Sequence, residues 1–358
     1  MEPVILNPQF ETIAVIDAYE SLIWTDRYNT YGDFELYCPM DTALLPYLKQ
    51  DNYFWQRDSE HTMIIEDITI DSDTEDGNHL VVTGRSLESI LERRIVWRYT
   101  VLTGNLQNAI QQLLNDNVIN PSDTSRKIDG FSFVASNDPK ITGLTIDAQY
   151  FGEELYTVIR DLCDEHNIGF KIVLTEDNKF EFSLYAGVDR SYAQSENPYV
   201  VFSPNFDNII NSNYYSSNAT MKNVTLVGGD GEGSERKTVT VGSGSGLTRR
   251  ELFTEGRIAS TTTEGEELSE SEIQAQMEEL GKKALSERGL TTAFEGEVET
   301  NKPFEYGVDF FIGDVVQLQN EYGIEGPAYI AELVFSVNES GRAVYPTFKT
   351  MPEEGGND

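Results

Sequence analysis

The side chains best suited to metal or acid–base chemistry are few: His61, His79 and His166, with Cys38 and Cys163 the only thiols. Cys163 and His166 stand three apart near the end of a predicted helix, so they could share a face. Zinc needs three or four ligands, and matching partners are scarce. The better reading puts Cys163 in a core and His166 at a helix end. Asp71-Ser-Asp-Thr-Glu-Asp-Gly77 resembles a calcium loop, but the register puts Asp76 where that loop needs glycine and Val82 where it needs its closing glutamate. A hairpin turn explains the run. Gly228-Gly-Asp-Gly-Glu-Gly233 lacks the Lys-Ser or Lys-Thr and helix start of a phosphate cradle, and Asp230 and Glu232 repel phosphate. There is no Gly-x-Ser-x-Gly nucleophile motif. Carboxylate pairs of the glycosidase kind are inevitable among 61 acids and say nothing. The expectation is no catalytic residue, no cofactor and no metal, hence a structural or binding role. Arg85, Arg93, Arg94 and Arg98 form the one basic concentration in the first hundred residues. Two readings stay open: a subunit contact bridging to an acidic neighbour, or local pairing with Glu88 and Glu92 on the same helix.

The elements that carry these residues belong to a chain of 358 residues, enough for two or three domains at roughly 150 residues each. With 26 basic and 61 acidic residues the net charge is −35. Every stretch shares the bias: 7 − 19 = −12, 7 − 15 = −8 and 9 − 17 = −8 over successive hundreds, then 3 − 10 = −7. Such a surface argues against tight binding to nucleic acid or anionic lipid, though not against standing near DNA. Hydrophobic residues at 39% and aromatics at 11% are too many for a disordered chain. Two cysteines build no disulfide framework. No apolar run is long enough to span a membrane, and Met1 to Phe10 does not read as a signal peptide. Synthesis in a cytosol follows, and the glycosylation patterns at Asn218, Asn223 and Asn338 then carry little weight.

Residues 1–98 read as a β module: short β-rich runs at 13–16, 21–25 and 34–37, a strand at 63–70, a hairpin signal at Asp76-Gly77-Asn78 and a short helix at 86–94. Residues 99–198 read as an inserted α+β unit. Its first helix is capped by Asn105 and runs to about Asn115; its second is Phe151 to Glu165; a hairpin over 170–185 follows. Residues 199–230 and 291–350 read as a second β module. It is interrupted at 231–290 by a strand and a helix opened by the capping box Ser269-Glu-Ser-Glu272. Residues 351–358 read as a loose tail. The fold class is mainly β with α+β insertions, and two small β-barrel domains fit the pattern.

The N-terminal run Ser21-Leu-Ile-Trp-Thr-Asp-Arg-Tyr28, Gly32-Asp-Phe-Glu-Leu36, Met63-Ile-Ile-Glu66 and Gly84-Arg-Ser86, closing on Ile90-Leu91 and Arg93-Arg94, resembles the tail-hub proteins of siphophages and prophages, the Gp37-like siphovirus tail proteins. These are similar in fold to the baseplate hub of contractile-tailed phages. The resemblance continues through Phe151 to Phe170 and from Ile312-Gly-Asp-Val-Val316 to Pro346. It implies a structural homotrimer of the virion tail tip, made in the host bacterial cytoplasm. Two related barrels per subunit would make a pseudo-sixfold ring, joining the sixfold tail tube and distal tail protein to a threefold tip or receptor-binding protein. Tape measure protein and DNA would pass through without specific binding, and no membrane insertion is implied. Some members carry a C-terminal peptidoglycan-cleaving domain; nothing after Thr350 suggests one, so no lytic activity is carried over. The rivals are a host-envelope carbohydrate hydrolase and a sugar-binding adhesin of the tail tip.

Overall fold

A computed structural model describes residues 3–57, 59–73, 77–231, 236–256, 268–298, 304–339 and 341–350. The first module is built from β1 (Val4–Leu6), β2 (Thr12–Val15), β3 (Ser21–Arg27), β4 (Asp33–Pro39), β5 (Tyr53–Trp55), β6 (Thr62–Asp73) and β7 (Gly77–Ser86). In β4 the alternation sends Phe34, Leu36 and Cys38 into the core. β6 and β7 pair from Met63↔Ser86 to Asp73↔Gly77, which forms the expected hairpin; Asp76 itself lies outside the described residues. Gly84 is required by close approach: a Cβ there would meet the Ile64 carbonyl oxygen at 1.8 Å. The short helix that follows, Leu87–Arg93, is a 3-10 helix. Its three-residue repeat aligns Leu87 with Ile90 over the core, and both are buried with Leu91.

The next unit holds β8 (Thr100–Asn105), α1 (Leu106–Leu114), β9 (Phe131–Val134), α2 (Pro139–Thr142), β10 (Thr145–Tyr150), α3 (Leu155–Glu165), β11 (Gly169–Leu174) and β12 (Phe180–Tyr185). Asn105 caps α1 by accepting from the Asn108 amide at 3.1 Å. α3 begins later than the expected Phe151. The Gly152 and Leu155 amides donate to Val96 and Arg94 carbonyls, so that stretch is tied to the preceding segment before the helix can start.

Beyond it lie β13 (Val201–Phe202), β14 (Ile209–Ser217), β15 (Val224–Gly228), β16 (Thr238–Gly242), β17 (Glu251–Glu255), α4 (Glu270–Ser286), β18 (Thr291–Val298), β19 (Val315–Gln319), β20 (Glu325–Asn338) and β21 (Gly341–Thr350). The capping box at Ser269 and Glu272 forms in both directions. β15 pairs with β16 and β17 in a separate three-stranded sheet, against which α4 packs.

Both β modules lie in one 13-stranded sheet, ordered β14-β18-β21-β20-β3-β4-β7-β6-β5-β1-β2, with β13 and β19 attached beside β20. The seam is the antiparallel pairing of β20 with β3, from Glu332↔Arg27 to Asn338↔Ser21. Neither module is closed into a ring of paired strands among the described residues. One core serves both: Trp24, Phe34 and Phe54 pack in the same cluster as Phe202, Phe310 and Phe348. A second core fills the α+β unit, and a third, much smaller, lies under α4.

Candidate functional site

The most concentrated charge chemistry lies where the first β module meets the α+β unit. Asp26 sits near the end of β3, His61 just before β6, and Glu88 in the 3-10 turn; their exposures are 5%, 4% and 1%. Glu88 accepts the Ile172 amide of β11 at 2.7 Å and the Ser86 hydroxyl. The Ser86 oxygen accepts the Gly32 amide at 2.7 Å. His61 Nδ1 lies 3.4 Å from Glu88 Oε1, close enough for charge attraction. Asp26 accepts the Trp24 indole N–H at 2.9 Å. Burial alone would strip the proton from His61. Asp26 and Glu88 outweigh it and push the imidazole up to about 9. Burial also opposes ionisation of Glu88, but His61 and the two hydrogen bonds hold it below the usual carboxylate range. At Asp26 burial wins and the carboxyl is raised. The group is a buried ionic knot, sealed from solvent, that ties two units together.

A second knot joins the segment after the α+β unit to the second β module. Asp314, 2% exposed, accepts the Val188 amide at 2.7 Å, the Phe311 amide at 3.0 Å and Arg190 Nε at 2.7 Å. It fastens the strand leaving the α+β unit to the start of β19. Arg27 pins the sheet seam, donating to Glu332 at 2.5 Å and Asp33 at 2.6 Å. Sequence reading missed all three clusters, because their members are far apart along the chain.

The residues singled out for chemistry fall apart in space. Cys163 is in the core, and burial lifts its thiol well above the ordinary range; His166 caps the end of α3. Asp71 and Asp73 run along β6. Gly228 ends β15; Glu232 and Gly233 lie outside the described residues. Among the described residues no group of three or more His, Cys, Asp or Glu could hold a metal ion.

The arginines divide. Arg85 grips Glu66 through two nitrogens, at 2.6 and 2.8 Å, and Glu92 at 2.6 Å, and lies over the Tyr31 ring. Arg93 reaches Asp51 at 3.0 Å on the surface. Glu88, one of the expected local partners, is taken by His61. Among the described residues Arg94 donates only to carbonyls, those of Arg126 and Arg93, both at 2.8 Å. Arg126 in turn donates to the Ile95 carbonyl and the Asn117 side chain and covers the Trp97 ring at 4.8 Å. Arg98 is exposed. Beside these cations Trp97 is 56% and Phe151 65% exposed. Arg94, Arg126, Trp97 and Phe151 thus form a cationic–aromatic patch on a strongly acidic chain. Charge runs pointed to Arg94; nothing in the sequence joined it to residues 126 and 151.

The chain is mostly β, its charged knots are sealed inside, and its fold is that of prophage tail proteins. The chain is similar to the 43 kDa tail protein of prophage MuSo2 from Shewanella oneidensis, at 13% identity over 98% of each chain and a TM-score of 0.61. It is also similar to prophage tail protein gp18 from Listeria monocytogenes EGD-e, at 11% identity over 99% of this chain and 95% of that one, TM-score 0.58. The tail protein from Neisseria meningitidis MC58 is a third likeness, at 13% identity over 97% and 96%, TM-score 0.57. No curated protein matches the chain. Residues 2–348 match the family described as Siphovirus ReqiPepy6 Gp37-like protein, and the chain belongs to that family. This is the family that the N-terminal run resembles, and the fold is one that prophage tail proteins share.

Proposed function

We propose that this protein is the hub of a phage tail tip, working by packing alone. Three copies close into a ring in which each chain contributes two β units, so threefold symmetry presents six similar positions to a sixfold tail tube. The observation that supports this most is the single sheet carrying both modules, since β3–β20 pairing fixes two β units side by side in one chain. In this reading residues 1–98, and 199–230 with 291–350, are the two ring-forming β units, with β15 pairing inside the inserted unit. Residues 99–198 and 231–290 are insertions, and 351–358 lie outside the described residues. The partners are the distal tail protein ring, the tape measure protein and a tip or receptor-binding protein, with the virion tail tip as location. Arg93, Arg94 and Arg98, flanked by Trp97 and Phe151, meet carboxylates of a neighbouring copy, which a chain of net charge −35 supplies in quantity. The same acid excess leaves the channel wall without affinity for phosphate, so DNA slides through.

Native mass measurement and particle images of the protein, alone and co-expressed with its distal tail protein, test the reading. The expected result is an assembly of three 40.3 kDa chains forming an annulus, weakened by Arg94→Glu. A monomer under both conditions overturns it.

A further inference from the structure

On the outer face of the α+β unit, the exposed side of α1 and the edge strand β9 enclose an open groove of about 520 Å3. Its lining is unusual for this chain. Charged residues make up 24% of the sequence, yet none lines the groove, and α1 itself carries none. Five side-chain amides line it, and three of them, Asn108, Gln111 and Gln112, are spaced three and four apart on one helical face. The side chains of these three make no hydrogen bond to another described residue and are exposed, so each offers two N–H donors and a carbonyl acceptor to whatever enters. α1 then widens by one π turn, closed by the Asn120 amide donating to the Asn115 carbonyl at 2.8 Å. Asn115, one turn beyond Gln111, lines the same groove.

The opposite wall adds an aromatic face. Phe170, Phe182 and Phe133 form a stack of three rings, with each step 5.8 Å between centroids and 19° between planes. Phe170 and Phe182 are fully buried, whereas Phe133 is half-buried, lines the groove and ends the stack. A stack with an open last face accepts one more flat, apolar layer.

We infer that this groove binds an uncharged carbohydrate. A pyranose ring has one face of C–H groups that lies on an aromatic ring and a rim of vicinal hydroxyls, each both donor and acceptor, that side-chain amides satisfy in pairs. Without a cation the groove has no grip on phosphate or uronate, and without a carboxylate it has none on an amine or metal. An extended peptide pairing with β9 is the competing occupant. It is disfavoured because β9 is only four residues long and the groove's polar atoms are largely side-chain amides. The inference does not depend on the hub reading, since the ring can assemble whether or not this groove holds a sugar.

The test is an array of neutral bacterial and plant oligosaccharides probed with the full chain, followed by saturation-transfer NMR on the best binder. An acidic trisaccharide such as sialyllactose and an uncharged Ser/Asn-rich decapeptide serve as comparisons. Binding of a neutral glycan in the millimolar range or tighter is expected. The double variant Gln111→Ala/Gln112→Ala should weaken it by about tenfold or more, with an unchanged melting curve because alanine suits an exposed helix face. Phe133→Ala should abolish the saturation signal from the sugar's C–H protons. No neutral glycan bound, binding unaffected by the double variant, or the decapeptide bound in place of sugar would each overturn the inference. Loss of glycan binding with the annulus intact separates it from the hub reading.

Discussion

Two units are inserted into the β framework, and they are held in opposite ways. The α+β unit has a core running from Leu102 to Leu184 that also takes in Ile64 and Leu87 from the first module, and a buried ionic knot fastens it. Among the described residues the small core of the β15–β17 unit and α4 centres on Val227 and Met277, with Val239, Val241, Ile273 and Leu280 partly covered. One of this unit's ties to the rest is the part-buried ion pair Lys283–Asp161 at 3.1 Å. Buried apolar area and sealed charges make the first unit continuous with the framework. The second is an appendage whose local stability is its own.

Breaking the knot has the largest effect. Glu88→Ala leaves the His61 charge and the Ile172 amide buried without their partner, a change expected to destabilise the protein by about 3–5 kcal/mol. Urea unfolding at neutral pH measures it, with the α+β unit and the first module melting together. Met277→Ala removes the centre of the small core at a local loss of about 2–5 kcal/mol. Hydrogen exchange should speed up through α4 and β15 while α3 stays protected, and equal acceleration of α3 would erase the distinction between the units.

A pH series sharpens the comparison. His61 is raised from 6.5 to about 9 in the fold. Its contribution is therefore complete below its unfolded value and is lost as pH climbs through about 9. Glu88, depressed, contributes above its unfolded value and loses that contribution as pH falls through its folded one. Asp26, raised, acts with the opposite sign to Glu88 on the acid side. Melting temperature should thus fall between neutral pH and pH 9, and His61→Gln should flatten that limb. The smallest effect belongs to the appendage's part-buried tie: Lys283→Ala should cost about 1 kcal/mol, a cost that high salt reduces only in part.

Much of the framework was legible in the sequence because alternation and caps are local. β4, the β6–β7 hairpin, the Asn105 cap and the Ser269 capping box all sit where a few neighbouring residues dictate them. β14 was not, since Asn211-Ser-Asn213 and Ser216-Ser217 carry no apolar alternation; its pairing with β18 supplies the strand. β15 read as part of the second module because sequence cannot say which strand it will pair with. The cationic–aromatic patch was half legible: Arg93, Arg94, Trp97 and Arg98 fall in one run, whereas Arg126 and Phe151 join them only through tertiary packing. The ionic knot and the amide groove were invisible, being built from segments whose proximity no spacing encodes.

The seam between β3 and β20 sets a schedule for biosynthesis. Arg27 and Glu332 are separated by 305 residues, so at ordinary translation speeds β3 waits about 15–60 s for its partner to be made. During that interval a nascent chain holds a bare strand rich in Leu22, Ile23 and Trp24 beside the ribosome. Truncated products ending before residue 325 keep that sticky border for good, and a holding chaperone bound there until synthesis reaches β20 would protect the yield of finished protein.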